Sequence, residues 1–428
     1  MRQNIKDMKH FLISISLLLL FAACSKDDDK KNEPLAKGRR TVIVFMSADN
    51  SLSYNNIPQN DINKMITYVK SGKLSGDDRF VIYVDRYSVT EKPFIARLVN
   101  DKNNPVDTLY KYSVDPYSSD PAKFKEILSR CMELCPANEY GLVLWGHGSG
   151  WIIQEDITKY SSSASRRAYG IDNGNTGYEN KGPWLNIPDM RKAFEEMGIK
   201  WKFIFSDCCN MMSAELAYEL RNCTEYLIGS PAEIPGSGAP YHTAAEYFFS
   251  QSDDFYDGIV NAYAEKNPNN LPLSAIRTSE MESLASATSE ILPYVAAHLK
   301  KGDDEATRDI IYYYSPGGQT DNVNKALYDM NDMILASLAA EPELYTRWHD
   351  AFSKAVVSRV ISPYWDTNHW NTVNFNDFTV TDAKMGSVSM HFPLEKYNNS
   401  RCEHKYNTDI KKLQWYDAVG WSTVDIIY

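Results

Sequence analysis

Two apolar runs in this chain end on side chains capable of covalent chemistry. Leu142-Val143-Leu144-Trp145-Gly146-His147-Gly148-Ser149-Gly150 ends on a histidine between glycines, and about 60 residues later Phe203-Ile204-Phe205-Ser206-Asp207-Cys208-Cys209-Asn210 ends on cysteine. In an open parallel sheet, ligands bind outside the carboxyl ends of the strands. Neighbouring strands ending on His and Cys would bring a thiol and its base to one site. Cys209 is the expected nucleophile, and His147 the base that takes its proton and hands one to a leaving amine. A helix is expected to begin just after Cys209 and to help activate the thiol. The glycines around His147 let a substrate backbone approach closely. The backbone N–H groups of Gly148 and Cys209 are candidate oxyanion donors, a contribution of about 3 kcal/mol per donor. Asp207 shares a face with Cys209 if the strand stays extended, and a carboxylate there suits an Arg or Lys side chain. Each residue alone has a plainer reading: a buried turn histidine, a core cysteine, a helix N-cap. Only the conjunction points to catalysis.

Positioning such groups requires a framework, and the chain supplies the pattern of one. Thr41–Met46 and Phe80–Asp85 are continuous apolar, β-branched runs of the kind buried on both faces of a parallel sheet. Phe94–Val99 and Asp107–Tyr110 read as a small antiparallel excursion. Pro121–Cys135 reads as a helix with Asp120 as N-cap, Pro188–Met197 as a second and Met212–Leu220 as a third. Tyr226–Ser230 is a further strand, opening into the Gly/Pro-rich loop Pro235–Pro240. Strands alternating with helices predict an α/β fold with a mostly parallel sheet flanked by helices. Beyond residue 265, helices are expected over Ser279–His298 and Asn322–Ala340 and a strand over Lys384–His391, forming a C-terminal α/β region packed on the first. The polar segment 154–182, with its serine-rich stretch, is long enough to be functional or disordered.

The N-terminus reads as a targeting segment. Basic residues precede the apolar stretch Phe11–Phe21 and then Ala22-Ala23-Cys24. That stretch is short for a membrane span and fits a signal peptide. The cysteine after Ala-Ala resembles a lipobox, making Cys24 the expected lipidation site. The charged run that follows cannot bury itself and reads as a solvated tether, similar to a surface-export signal of bacterial lipoproteins. The expected organisation is therefore a signal peptide (1–23), a lipid-anchored acidic tether (24–38), a catalytic domain (39–265) and the C-terminal region (266–428). The expected location is the outer membrane, exposed at the cell surface. A formal charge of −11 argues against nucleic acid as a partner. The six cysteines besides Cys24 have spacings ill-suited to bridging or to zinc, so a reactive thiol among buried cysteines is expected and no metal site is assigned.

Several of these segments resemble the clostripain family of cysteine peptidases, in the caspase-like clan. Val42-Ile43-Val44-Phe45-Met46-Ser47-Ala48-Asp49-Asn50 is similar to the family's first strand and turn. Leu144-Trp145-Gly146-His147-Gly148 is similar to its catalytic-histidine motif. Phe205-Ser206-Asp207-Cys208-Cys209-Asn210-Met211 corresponds to its Asp-Ala-Cys-Leu-Met motif, with Cys208 and Asn210 as departures. That register sets Cys209, not Cys208, on the nucleophile and turns Cys208 to the buried side. The resemblance implies a caspase-like sheet and cleavage of polypeptides after Arg or Lys, with Asp207 lining the S1 pocket. It also implies autoproteolytic activation between the His and Cys strands, where Lys159, Arg166, Arg167 and Lys181 are candidate sites. Some members depend on calcium, but no EF-hand pattern is present and no cofactor is assigned. The alternative reading is a catalytically impaired lipoprotein that binds basic peptides in the same pocket.

Overall fold

The expected parallel strands form the centre of one large sheet. The computed structural model describes residues 35–88, 90–153, 168–177, 182–315, 325–366, 373–402 and 404–426. Strand β1 (Gly38–Ala48) is buried at every position from Thr41 on. Strand β2 (Asp78–Arg86) pairs with it in parallel. Strands β3 (Phe94–Leu98) and β4 (Val106–Lys111) turn back antiparallel, the expected excursion. Strand β5 (Ala137–Gly146) lies on the other side of β1, also parallel. The short β6 (Tyr169–Ile171) and β7 (Trp184–Leu185) form a separate ribbon. Strands β8 (Phe203–Asp207) and β9 (Tyr226–Gly229) continue the parallel series from β5.

Two strands from beyond residue 265 complete the sheet. β10 (Leu273–Arg277) pairs antiparallel with β9. Then β11 (Tyr312–Tyr314) and β12 (Ala326–Asp329) form a small second sheet. β13 (Val356–Val360) returns to pair with β10, and β14 (Ser389–Met390) joins the small sheet beside β12. The nine-stranded order is β13-β10-β9-β8-β5-β1-β2-β3-β4.

Side-chain alternation sorts the core into two layers, because successive residues of a strand point to opposite faces. Ile43, Phe45, Leu142, Leu144 and Ile204 face one layer, covered by α2 (Pro121–Leu134) and α3 (Ile187–Met197) and by the short α4 (Ala214–Glu219). Val42, Val44, Met46, Val143, Trp145, Phe203 and Phe205 face the other. That layer is covered by α1 (Ile57–Lys70), α5 (Tyr241–Phe248) and α6 (Phe255–Lys266). Asp120 caps α2 as expected, its carboxylate accepting from Ala122 N and Lys123 N at 3.0 Å.

Three local expectations are corrected. The helix after Cys209 begins at Ala214, five residues later, where Ser213 Oγ accepts from Leu216 N. The start of that helix therefore does not abut the thiol. Within the expected helix over 322–340, Ala326–Asp329 is strand β12 and α7 (Met330–Ser337) starts only there. Asp329 accepts from Asp332 N, a cap that stops the helix from extending backward. Of the strand expected over Lys384–His391, only Ser389–Met390 pairs. Among the described residues no helix is long and apolar enough to cross a membrane, and no disulfide joins the six described cysteines. Cys24 and the candidate processing residues Lys159, Arg166, Arg167 and Lys181 lie outside the described residues.

Candidate active site

Parallel pairing brings the decisive strand ends side by side. β1 and β5 align Ser47 with Gly146, and β5 and β8 align Trp145 with Asp207. The chain thus leaves the sheet at His147 next to where it leaves at Cys208 and Cys209. Gly148 packs directly on the cysteine turn: a Cβ there would lie 2.7 Å from the Cys209 carbonyl oxygen and 2.9 Å from the Cys208 Cβ. No larger residue fits without moving backbone.

Strand parity then separates the two cysteines. Asp207 follows Phe203 and Phe205 onto the α5/α6 face, so Cys208 turns to the opposite layer. Its Sγ meets the Leu144 carbonyl at 3.2 Å, and burial pushes its thiol well above the usual range. Cys208 is therefore a core residue, as expected. Cys209 is half-buried, and the Ile234 N–H approaches its Sγ at 3.5 Å. Asn210 adopts the left-handed conformation, φ +58°, and its N–H donates to Ala232 O at 2.8 Å. Asparagine tolerates that geometry better than leucine, which accounts for the departure at this position.

His147 is held by a residue that sequence reasoning overlooked. Ser51 Oγ lies 2.9 Å from His147 Nε2. In the tautomer whose Nε2–H donates to Ser51, the lone pair is on Nδ1 and that nitrogen is the one able to act as a base. Ser51 sits in a turn built by Asn50, whose Oδ1 accepts from Leu52 N at 3.0 Å. Asn50 Nδ2 also donates to Ser47 O and Ile171 O, so β1 and the 168–177 segment jointly fix the turn.

His147 and Cys209 line a cavity of about 470 Å³ whose wall includes Asp61, Trp145, Asp207 and the Gly/Pro-rich loop at 233–238. Asp207 is buried, and its Oδ2 accepts from Tyr241 OH at 2.7 Å and Ala239 N at 3.0 Å, its Oδ1 from Tyr263 OH at 2.9 Å. Burial raises its carboxyl above the usual range, while those donors pull it back. Asp61, from α1, is the second carboxylate and was not singled out from sequence. Its Oδ2 accepts from Trp145 Nε1 at 2.7 Å and its Oδ1 from Lys64 Nζ at 2.6 Å. Burial, then the charge of Asp207, push it up to about 6. Gly238, at φ +61°, lies beside both: a Cβ would fall 2.6 Å from Asp61 Oδ2 and 3.3 Å from Asp207 Oδ2. The only sequence signal for Asp61 was its place in an amphipathic helix, where an acid three residues before a lysine reads as a surface pair.

A model of the clostripain family matches residues 44–426. The chain belongs to that family. Two structures of a secreted C11 cysteine protease from Bacteroides thetaiotaomicron, one of them bound to an irreversible peptide inhibitor and the other called iotapain, both have a TM-score of 0.69. They are 24% and 20% identical, and each match covers 90% of this chain and 100% of theirs. An inactive zymogen of a C11 protease from Parabacteroides distasonis matches with a TM-score of 0.67 at 24% identity, over 90% of this chain and 99% of its own. These likenesses establish the caspase-like, mostly parallel α/β fold expected from the strand pattern. No curated relative matches. As a clostripain-family chain it is a cysteine-peptidase homologue, and its site is read below in those terms.

Proposed function

We propose that the chain is a cysteine endopeptidase that cleaves polypeptides after Arg or Lys. The observation that carries this reading is one cavity lined both by His147 and Cys209 and by three buried carboxylates, Asp61, Asp207 and Glu233. The Cys209 thiol gives its proton to His147 and attacks the scissile carbonyl, forming a carbon–sulfur bond. His147 returns the proton to the leaving amine, and water then hydrolyses the thioester. Backbone N–H groups of Gly148 and Cys209 would stabilise the oxyanion. A P1 guanidinium or ammonium near Asp61 and Asp207 would neutralise two like charges that otherwise repel in a dry wall.

Surface anchoring through Cys24 and activation by cleavage at Lys159, Arg166, Arg167 or Lys181 belong to the same proposal and rest on sequence. The intact mass of the mature chain tests both: an unacylated N-terminus and an unbroken 159–181 segment in active protein would remove them. For catalysis, a short peptide amide with Arg at P1 is the probe. Cys209→Ala should lose at least about a thousandfold in kcat/KM, and Cys208→Ala should keep most of the activity. Equal cleavage by wild type and Cys209→Ala would exclude the nucleophile and with it the peptidase reading.

A further inference from the structure

Three strand ends stand in a row at the catalytic cavity. The sheet order β9-β8-β5 puts the Cys209 turn, which follows β8, between His147 beyond β5 and the loop that follows β9. That loop is fastened to the nucleophile's turn on both sides of Glu233. Ala232 O accepts from Asn210 N at 2.8 Å, and the Ile234 N–H reaches Cys209 Sγ at 3.5 Å. Ala232 N also donates to Ser230 Oγ at 3.1 Å. Glu233 is 6% exposed and lines the cavity. Its backbone is therefore held next to the thiol, whereas Gly238, further along the same loop, marks the end occupied by Asp61 and Asp207.

The direction of the reaction assigns the two sides of this row. On the peptidase reading, His147 hands a proton to the leaving amine, so the amine half of the substrate lies toward β5. The acyl half then runs toward β9 and the Glu233 side. An extended peptide advances about 3.4 Å per residue and turns successive side chains to opposite faces. With P1 directed at Asp61 and Asp207, one of the next two positions, P2 or P3, is presented to Glu233. Charge points the same way. Among the described residues, the cavity lining holds four carboxylates, Asp61, Asp207, Glu233 and Asp366 from the segment after β13, and neither lysine nor arginine. A P1 side chain brings a single positive charge to that wall, and buried carboxylates favour a cationic partner.

We propose that Glu233 is a specificity-determining residue that accepts a second basic side chain on the acyl side of the cut, so that polypeptides with paired or closely spaced Lys and Arg are the preferred substrates. The inference rests on the peptidase reading and narrows its substrate class. An ammonium or guanidinium at P2 or P3 makes a charge-assisted hydrogen bond with Glu233, about twice as strong as a neutral one. Because Glu233 belongs to a segment pinned to the Cys209 turn, that contact also registers the peptide against the thiol. P1 recognition at Asp61 and Asp207 is separate, since those carboxylates stand at the far end of the loop.

Coumarin amides with Arg at P1 test this, carrying Lys or its uncharged isostere norleucine at P2 or at P3 and Ala at the other position. Wild type should cleave the Lys peptide with kcat/KM about tenfold above its norleucine counterpart at one of the two positions. Glu233→Gln should bring that ratio close to one, and Asp366→Asn should keep it. The ratio is taken within one protein, so a general loss of rate or stability cancels; should Glu233→Gln fail to fold, Glu233→Thr replaces it. Fluorescence anisotropy of the same peptides on Cys209→Ala, with and without Glu233→Gln, repeats the comparison as Kd without turnover. Cleavage of the Arg amides with a ratio near one at both positions overturns the second subsite and leaves the peptidase reading standing. A ratio that survives in Glu233→Gln, or that Asp366→Asn erases instead, overturns the assignment to Glu233. A Kd preference for Lys that depends on Glu233, in a chain that cleaves no Arg amide, keeps the subsite and removes the peptidase reading. Equal Kd values and no cleavage remove both.

Discussion

Asp61 and Asp207 meet the same cavity under different constraints, and the difference is testable. Asp207 already accepts three hydrogen bonds from fixed donors. Asp61 accepts from Trp145 and from Lys64, whose side chain is partly exposed, so a substrate cation can compete for it. Its carboxyl is raised to about 6, so it is ionised above that pH and protonated below. Recognition of an Arg side chain should therefore weaken as pH falls through about 6. Replacing it with Asn removes a charge-assisted contact of about 1.5–3 kcal/mol, which is roughly a 10- to 100-fold rise in KM. kcat should change little, because Asp61 does not touch the reacting bond, and the acid limb it causes in kcat/KM should disappear. An unchanged KM and an unchanged acid limb in Asp61→Asn would assign cation recognition elsewhere.

At the scale of elements, the loop between β9 and α5 forms the wall beside those carboxylates. Lys64 of α1 donates to Ser237 O and, at 3.3 Å, to Ala239 O, so the loop is clamped onto the helix that carries Asp61. Two glycines in it make a matched pair. Gly238 is left-handed and its missing Cβ would fall on Asp61; Gly236 has nothing within 4 Å of a built Cβ. Gly238→Ala should cost about 1–2 kcal/mol in backbone strain and lower kcat/KM on Arg peptides by at least an order of magnitude. Gly236→Ala should leave both near wild type. Comparable losses in the two variants would mean that loop flexibility, rather than space beside Asp61, controls activity. Much of this element layout was legible beforehand. The parallel core was readable because strands buried on both faces become continuous β-branched runs, and the His and Cys strand ends followed from it. The strands β10 and β13 were not, being only five residues long, and of the strand expected over Lys384–His391 only the two residues of β14 pair. Asp61 was also invisible, because α1 and β8 are far apart in the chain and only the packing of α1 against the sheet brings it beside Asp207.

For the whole molecule, the C-terminal region holds the turn that carries Cys209. Ser389 donates to Met212 O through both its N–H and its Oγ, at 3.2 Å each, three residues beyond Cys209. Next to it, His391 N donates to Glu215 Oε1 at 2.6 Å, while Glu215 Oε2 is buried without a partner. Burial raises Glu215 from 4.5 to about 7, so the folded chain binds its proton more tightly than the unfolded chain does. The sign follows from linkage. This group's contribution is fully present below about pH 4.5 and is lost as pH rises through about 7. His391, pushed down to about 3 by burial, stays neutral across that window and cannot offset it. Glu215→Gln keeps the acceptor for His391 N and removes the titration. Relative to wild type it should gain stability between pH 5 and 8, reaching on the order of 3 kcal/mol for a shift of this size. Urea unfolding across that range measures the difference directly. Parallel curves for the two proteins would show that Glu215 titrates as it does in the unfolded chain, and that the latch between the C-terminal region and the Cys209 turn carries no buried carboxyl.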